Sequence, residues 1–306
     1  MYRHPQEEMV DDKKAAGYGP LWAHILLAIA AALLMHDAAA AVLYAATARD
    51  ESQSGDVGRL YAVNAATGRW RLIGPVKVGG TCVPIDGLAV HPVTRVLYGI
   101  TARGSKDPML ITIDPRTAKA ARIGSLGVGV ADIHFDEAGT LFGWIPDGNR
   151  LGIINLQTGA VGITASTPVH DTGSGGLAID AKGRALVASN MTRGVIDELD
   201  SSTGDIVGSV TLLDPSVLHA LYSLTFSETG ALLAVNQPHA GDRVRELISI
   251  DTRTGSVRKI AALPDEVDAI AFDDRASFGG GKQGLFLIFV LVLIGLNAAA
   301  YLRWRR

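Results

Sequence analysis

Cysteine is almost missing from this chain. Cys82 is the only one in 306 residues, which excludes an internal disulfide framework and any cysteine-built zinc site. Neither sign of charge predominates: 28 Lys and Arg face 31 Asp and Glu, a formal net charge of −3. A nucleic-acid binder would show a basic excess, so that class is excluded. Aromatic residues are scarce at 6%. Charged residues reach only 19%, while 48% are apolar, a balance too hydrophobic for intrinsic disorder. Familiar reaction motifs are missing as well. There is no P-loop, no Gly-x-Gly-x-x-Gly after a strand, no His-Glu-x-x-His and no Gly-x-Ser-x-Gly elbow. Glycine is plentiful instead, with 35 residues, and that suits a turn-rich β protein built from small side chains.

The longest hydrophobic runs lie at the two ends. Leu285 to Leu302 is uncharged and stops at Arg303, Trp304, Arg305 and Arg306. About 20 apolar residues cross a bilayer core as helix, and basic residues with an interfacial tryptophan mark the cytoplasmic side. The spacing predicts a transmembrane helix over 285–306. Near the N-terminus, Leu21 to Met35 has the length of a signal sequence and follows Lys13 and Lys14; Ala39 and Ala41 then make a small-x-small cleavage pattern. A signal peptide over 1–41 is the first reading. The alternative is an uncleaved anchor running on to Ala48, which would have to bury Asp37. Both readings keep the lysines inside and put the middle of the chain outside the membrane.

That middle is a repeat. One segment occurs five times: Asn64-Ala-Ala-Thr67-Gly68, Asp114-Pro-Arg-Thr117-Ala118, Asn155-Leu-Gln-Thr158-Gly159, Asp200-Ser-Ser-Thr203-Gly204 and Asp251-Thr-Arg-Thr254-Gly255. The threonines are 50, 41, 45 and 51 residues apart. Periods of about 40 to 50 residues with strand character indicate propeller blades. The leading Asn or Asp can accept hydrogen bonds from its own turn, and glycine supplies the positive φ of a tight hairpin. Ala118 departs from the glycine rule, so its turn is expected to differ slightly in shape.

Each unit reads as four strands. Innermost come Gly87-Leu-Ala-Val90, Asp132-Ile-His-Phe135, Gly176-Leu-Ala-Ile179, Ser223-Leu-Thr-Phe226 and Ala269-Ile-Ala-Phe272. Small residues at alternate positions fit strands that converge on an axis. Val42 opens on a second-strand pattern, whereas the last inner strand, Val267 to Asp273, has no successor. Pairing that last strand beside the first resolves both ends and leaves no edge exposed. The expected fold is therefore an all-β, five-bladed β-propeller closed by its C-terminal strand. It should cover 42–274 and be followed by a Gly-rich linker over 275–284. A β-sandwich competes, but it would not need five copies of one turn at this period.

The strand–Asp-x-x-Thr-Gly–strand repeat is similar to that of the YVTN and quinoprotein-like propeller family over Val42 to Asp274. The resemblance implies the fold; propellers host unrelated activities, so function has to be argued from the site. The tail, with Gly279-Gly280-Gly281 before its hydrophobic span and basic end, resembles bacterial GlyGly-type C-terminal sorting signals. That resemblance implies processing and export to the cell surface. A plain anchor with a flexible glycine linker is the alternative.

Turns between inner and second strands are short, while the loops on the opposite face are longer and unlike one another. Binding residues favour variable loops on a rigid scaffold. Val42 and Asp274 both fall at inner-to-second turns, so the short-turn face should look at the membrane and the long-loop face into the periplasm. The candidate binding residues of the long-loop face are Asp86, His170, Asp171, His219, His239 and Asp268. Asp86 and Asp268 hold equivalent positions just before inner strands. His134 could face the channel, and it reads first as a satisfied core histidine. No cofactor is implied. The expected function is a binding or scaffold module of the bacterial inner membrane, with a protein partner on the long-loop face. The alternative is a metal-dependent, lactonase-like hydrolase with Asp86, Asp171 and Asp268 as oxygen ligands at the axial mouth of that face.

Overall fold

The repeated turn forms as its residues dictate. Asn64 Oδ1 accepts from the amides of Ala66 and Thr67, and Asn155, Asp200 and Asp251 accept in the same way from their own turns. The residue that follows turns left-handed: φ is 69° at Gly68, 78° at Gly159, 76° at Gly204 and 73° at Gly255. Ala118 takes φ 58° in an otherwise identical turn, so the expected difference in shape does not arise. Neighbouring blades explain why alanine is admitted only there. A Cβ on Gly255 would meet the Thr211 carbonyl at 1.9 Å and one on Gly68 would meet Ala261 at 2.1 Å, whereas the Ala118 methyl faces Gly74.

The computed structural model describes residues 41–48, 57–168, 175–190, 194–214 and 218–278. The predicted signal segment and transmembrane helix lie outside them. Among the described residues no helix is long and apolar enough to cross a membrane. Five four-stranded antiparallel sheets follow one another among these residues. The first combines β22 (Val267–Ser277) with β1 (Ala41–Thr47), β2 (Arg59–Asn64) and β3 (Trp70–Pro75). A small hairpin of β4 (Lys77–Val78) and β5 (Thr81–Cys82) leads to the second sheet, β6 (Ile85–Val90) to β7 (Leu97–Thr101), β8 (Met109–Ile113) and β9 (Ala120–Ser125). The third runs from β10 (Asp132–Phe135) through β11 (Leu141–Ile145) and β12 (Arg150–Ile154) to β13 (Val161–Ser166). The fourth contains β14 (Gly176–Ile179), β15 (Arg184–Asn190), β16 (Val195–Asp200) and β17 (Ile206–Thr211). The fifth contains β18 (Ala220–Phe226), β19 (Leu232–Gln237), β20 (Arg245–Ile250) and β21 (Val257–Leu263).

The ring closes as expected. β22 pairs with β1 in antiparallel register, Val42 opposite Asp273 and Ala46 opposite Ala269. The inner strands β22, β6, β10, β14 and β18 each touch the next around the axis. One apolar cluster fills each interface between blades. Leu43, Val63, Val235, Leu247 and Ile270, for example, join the fifth blade to the first. An open row of blades would leave two such faces in water, and each large aliphatic exposed there would forfeit about 1.5–3 kcal/mol. Closure is thus part of the stability of every blade.

The inner-to-second turns repeat a second capping pattern. His91 Nδ1, Asp136 Oδ1, Asp180 Oδ1, Ser227 Oγ and Asp273 Oδ1 each accept from amides of their own turn. The break between β22 and β1 occupies the same place in the first blade. Both ends of the described ring therefore leave from the short-turn face.

Candidate functional site

Two layers of side chains face the axis. The first inner-strand position supplies Gly87, Asp132, Gly176, Ser223 and Ala269; the third supplies Ala89, His134, Ala178, Thr225 and Ala271. Each layer carries one large polar group among small neighbours, and the small residues are what make room for it. A Cβ on Gly87 would approach Asp132 Cα to 3.1 Å, and one on Gly176 would meet the Ser223 backbone at 3.0 Å.

Asp132 plugs the bore and is fully buried. Its Oδ1 accepts from the Ile133 amide at 3.0 Å and from Ser223 Oγ at 3.1 Å. Its Oδ2 accepts from the Leu177 amide at 2.9 Å and the Leu224 amide at 3.1 Å. Ser223 Oγ in turn accepts from the Ile270 amide at 3.2 Å, so one carboxyl ties together four inner strands. Burial pushes the Asp132 carboxyl well above the usual carboxylate range, against the downward pull of the Leu177 and Leu224 amides.

His134 forms the next layer. Its Nδ1 lies 2.8 Å from the Phe135 carbonyl and 3.2 Å from the Ile179 amide. The Phe135 carbonyl asks for a donor at Nδ1, whereas the Ile179 amide, which donates to the same atom, asks for an acceptor, so the two contacts favour opposite tautomers. Burial pulls the imidazole down to about 4, although the Phe135 carbonyl and the Asp136 charge favour the cation. At neutral pH the ring is uncharged.

Above this layer the axis opens into a cavity of about 530 Å³ on the short-turn face. Ala89, His134, Thr225 and Ala271 floor it. Its walls include Val90, Phe135, Ile179, Phe226 and Phe272, and its rim carries Arg95, Asp136, Glu137, Asp180, Lys182 and Glu228. Arg95 is already committed: it takes φ 61°, where sister turns use glycine, and pairs with Asp273 and with Asp274. Asp180 pairs with Arg184, and Asp136 caps its own turn. Glu137 and Glu228 are exposed and have no ion pair among the described residues.

The long-loop mouth is built differently. Asp86 sits at a bulge in β6 and accepts from the Arg103 amide at 2.8 Å. Asp268 sits at the matching bulge in β22, buried against Arg245, whose Nε and Nη2 lie 3.3 Å from Oδ1. The Arg245 guanidinium stacks 4.6 Å from the Tyr222 ring centre. His219 and His239 are exposed, their backbones bonded to Gln237 and Asp242. His170 and Asp171 lie outside the described residues. Among the described residues no three His, Cys, Asp or Glu side chains converge as a metal site requires. Cys82 is a half-buried free thiol. The polar centre of the axis was missed in the sequence, although Asp132 was visible as the lone charge at a position otherwise filled by Gly, Ser and Ala.

No protein-family model matches this chain, and no curated protein matches it. Solved structures do. A chain in the crystal structure of a nidogen/laminin complex is 13% identical, with a TM-score of 0.50 over 76% of this chain and 98% of its own. A protein of unknown function from Bacteroides caccae is 12% identical, with a TM-score of 0.46 over 76% of this chain and 99% of its own. TolB from Acinetobacter baumannii is 16% identical, with a TM-score of 0.43 over 74% of this chain and 54% of its own. At such identities the nidogen/laminin likeness speaks to architecture alone; the strand order, the registers and the closure of this chain make it a five-bladed β-propeller.

Proposed function

We propose that this protein is a membrane-tethered, extracytoplasmic binding module rather than an enzyme. The observation that carries the reading is the bridged axis. Asp132 bonds across the bore to β14 and β18, so among the described residues the ring offers a receptacle on one face and loops on the other. Several ionisable groups near the receptacle hold shape, while Glu137, Glu228 and Lys182 have no ion pair among the described residues. Asp136 and Asp180 cap turns, Arg95 latches the turn of the second blade to the closing strand, and the neutral His134 is engaged through Nδ1 by backbone groups of Phe135 and Ile179. On the long-loop face Leu213 and Val244 are 71% and 46% exposed, apolar contacts suited to a protein partner. The hydrophobic segments that flank the ring support tethering, with the propeller in the periplasm and, if the tail is processed, at the cell surface.

The test uses the full-length chain in a Cys82→Ser background. Single cysteines at Val93 (short-turn face) and Leu213 (long-loop face) should react with a membrane-impermeant maleimide in intact spheroplasts. A photo-crosslinker at Leu213 should trap a discrete partner in native membranes. Labelling only after lysis would remove the extracytoplasmic placement. Turnover of a substrate panel with no crosslinked partner would remove the binding-module reading.

A further inference from the structure

The axial cavity of the short-turn face has a composition that selects its ligand. Its floor and lower walls are apolar apart from the His134 ring and Thr225. Phe226 and Phe272, both partly exposed, line it, and Phe135 borders it with its ring packed against His91 and Tyr98. Aromatic faces are negative at their centres and attract cations, more strongly where water is excluded. The rim repeats the same sign. The second residue of each inner turn is Pro92, Glu137, Ala181, Glu228 or Asp274; Glu137 and Glu228 line the cavity, while Asp274 is held by Arg95. Lys182, one residue further along its turn, is the rim's one cation without an ion pair among the described residues, since Arg95 is held by Asp273 and Asp274.

Three other classes of ligand fit less well. An anion would face Glu137 and Glu228 with Lys182 as its only unpaired cation among the described residues. A hard metal ion needs about six converging oxygens, and no such group exists among the described residues. A neutral apolar ligand would fill the walls but leave the carboxylate rim unused. An ammonium group on a short apolar stem satisfies all of these features: charge toward the glutamates, stem against the phenylalanines.

We infer that this cavity is a binding site for an organic ammonium ion, a primary or methylated amine on a short hydrocarbon stem. The inference rests on the reading of the protein as a binding module and gives that reading a ligand class. The amine could belong to a soluble molecule or to the ethanolamine headgroup of a lipid. Both ends of the ring leave from the face on which the cavity opens, which would bring a headgroup within reach if the flanking segments are embedded.

The experiment uses the full-length chain in nanodiscs made of phosphatidylglycerol alone. n-Butylammonium chloride should bind saturably, read by ligand-observed NMR, while n-butanol and sodium butyrate at the same ionic strength should not. Glu137→Gln with Glu228→Gln should weaken butylammonium by about tenfold, and Phe272→Leu by a smaller factor. The glutamates are exposed turn residues, so the double variant should unfold at the wild-type temperature, which separates lost binding from lost fold. Nanodiscs containing phosphatidylethanolamine should suppress butylammonium binding if the natural source is a lipid headgroup and leave it unchanged if the source is soluble. Equal binding of butyrate, or butylammonium binding unaffected by the double variant, would overturn the inference. A partner still crosslinked at position 213 in that case would leave the binding-module reading standing.

Discussion

The two mouths of the axis are framed by the same five inner strands, yet they handle charge in opposite ways. At the long-loop mouth the two described carboxylates that precede inner strands are spent within the fold: Asp268 on Arg245, Asp86 on the Arg103 amide. At the short-turn mouth Glu137 and Glu228 stand over a cavity with aromatic walls. A buried charge that has found its partner is part of the architecture. A charge left beside an apolar hollow is available to something else. The difference also shows why equivalent positions such as Asp86 and Asp268 can suggest a shared ligand and still act separately: each lies at a bulge that re-aims its side chain toward its own neighbour.

The comparison can be broken at its centre. Asp132→Ala would strip three backbone amides and the Ser223 hydroxyl of their acceptor in a sealed interior. At about 1–3 kcal/mol for each orphaned group, the cost should be about 5 kcal/mol and the melting temperature should fall by about 10 °C or more. A loss below about 1 kcal/mol in denaturant titration would mean that the plug is incidental. Next in size is the long-loop mouth. Arg245→Ala leaves Asp268 buried without its cation and should cost about 3 kcal/mol, while Arg245→Met with Asp268→Leu should recover most of it. Failure of the double replacement to recover stability would show that the pair does more than neutralise itself.

The smallest expected effect, taken per pH unit, is a pH dependence. His134 is held at about 4 in the folded ring against 6.5 in the unfolded chain. As pH falls from 6.5 to about 4 the unfolded state takes up the proton first, so His134 withdraws stability, at most about 1.4 kcal/mol per pH unit. Above 6.5 it has no effect. Subtracting the stability curve of His134→Gln from that of the wild type isolates this slope. It also removes the opposite contribution of Asp132, whose raised pKa makes acid favourable. A difference that stays flat across the window would contradict a buried, neutral imidazole.

Much of this architecture could be read from the chain before any coordinates. The fivefold Asx-x-x-Thr turn is a local device: its side-chain acceptor and left-handed residue lie within five residues, so spacing alone exposes it. Closure was legible for a related reason, because strands that begin and end out of phase must complete one another. The exception at Ala118 was not, since whether a methyl fits depends on what the adjacent blade puts opposite, and that proved to be Gly74. The role of Asp132 was hidden in the same way. Its partners come from β10, β14 and β18, and the Ser223 link reaches β22, strands that meet only once the ring is formed.

What the sequence determined by itself is therefore the periodic part: the number of blades, the order of strands and the chemistry of each turn, all set by interactions between near neighbours. What only the tertiary structure decided is which charges are consumed and which are left over. Pairing, plugging and burial depend on residues far apart in the chain, and electrostatics is settled by the neighbours a side chain finds in space.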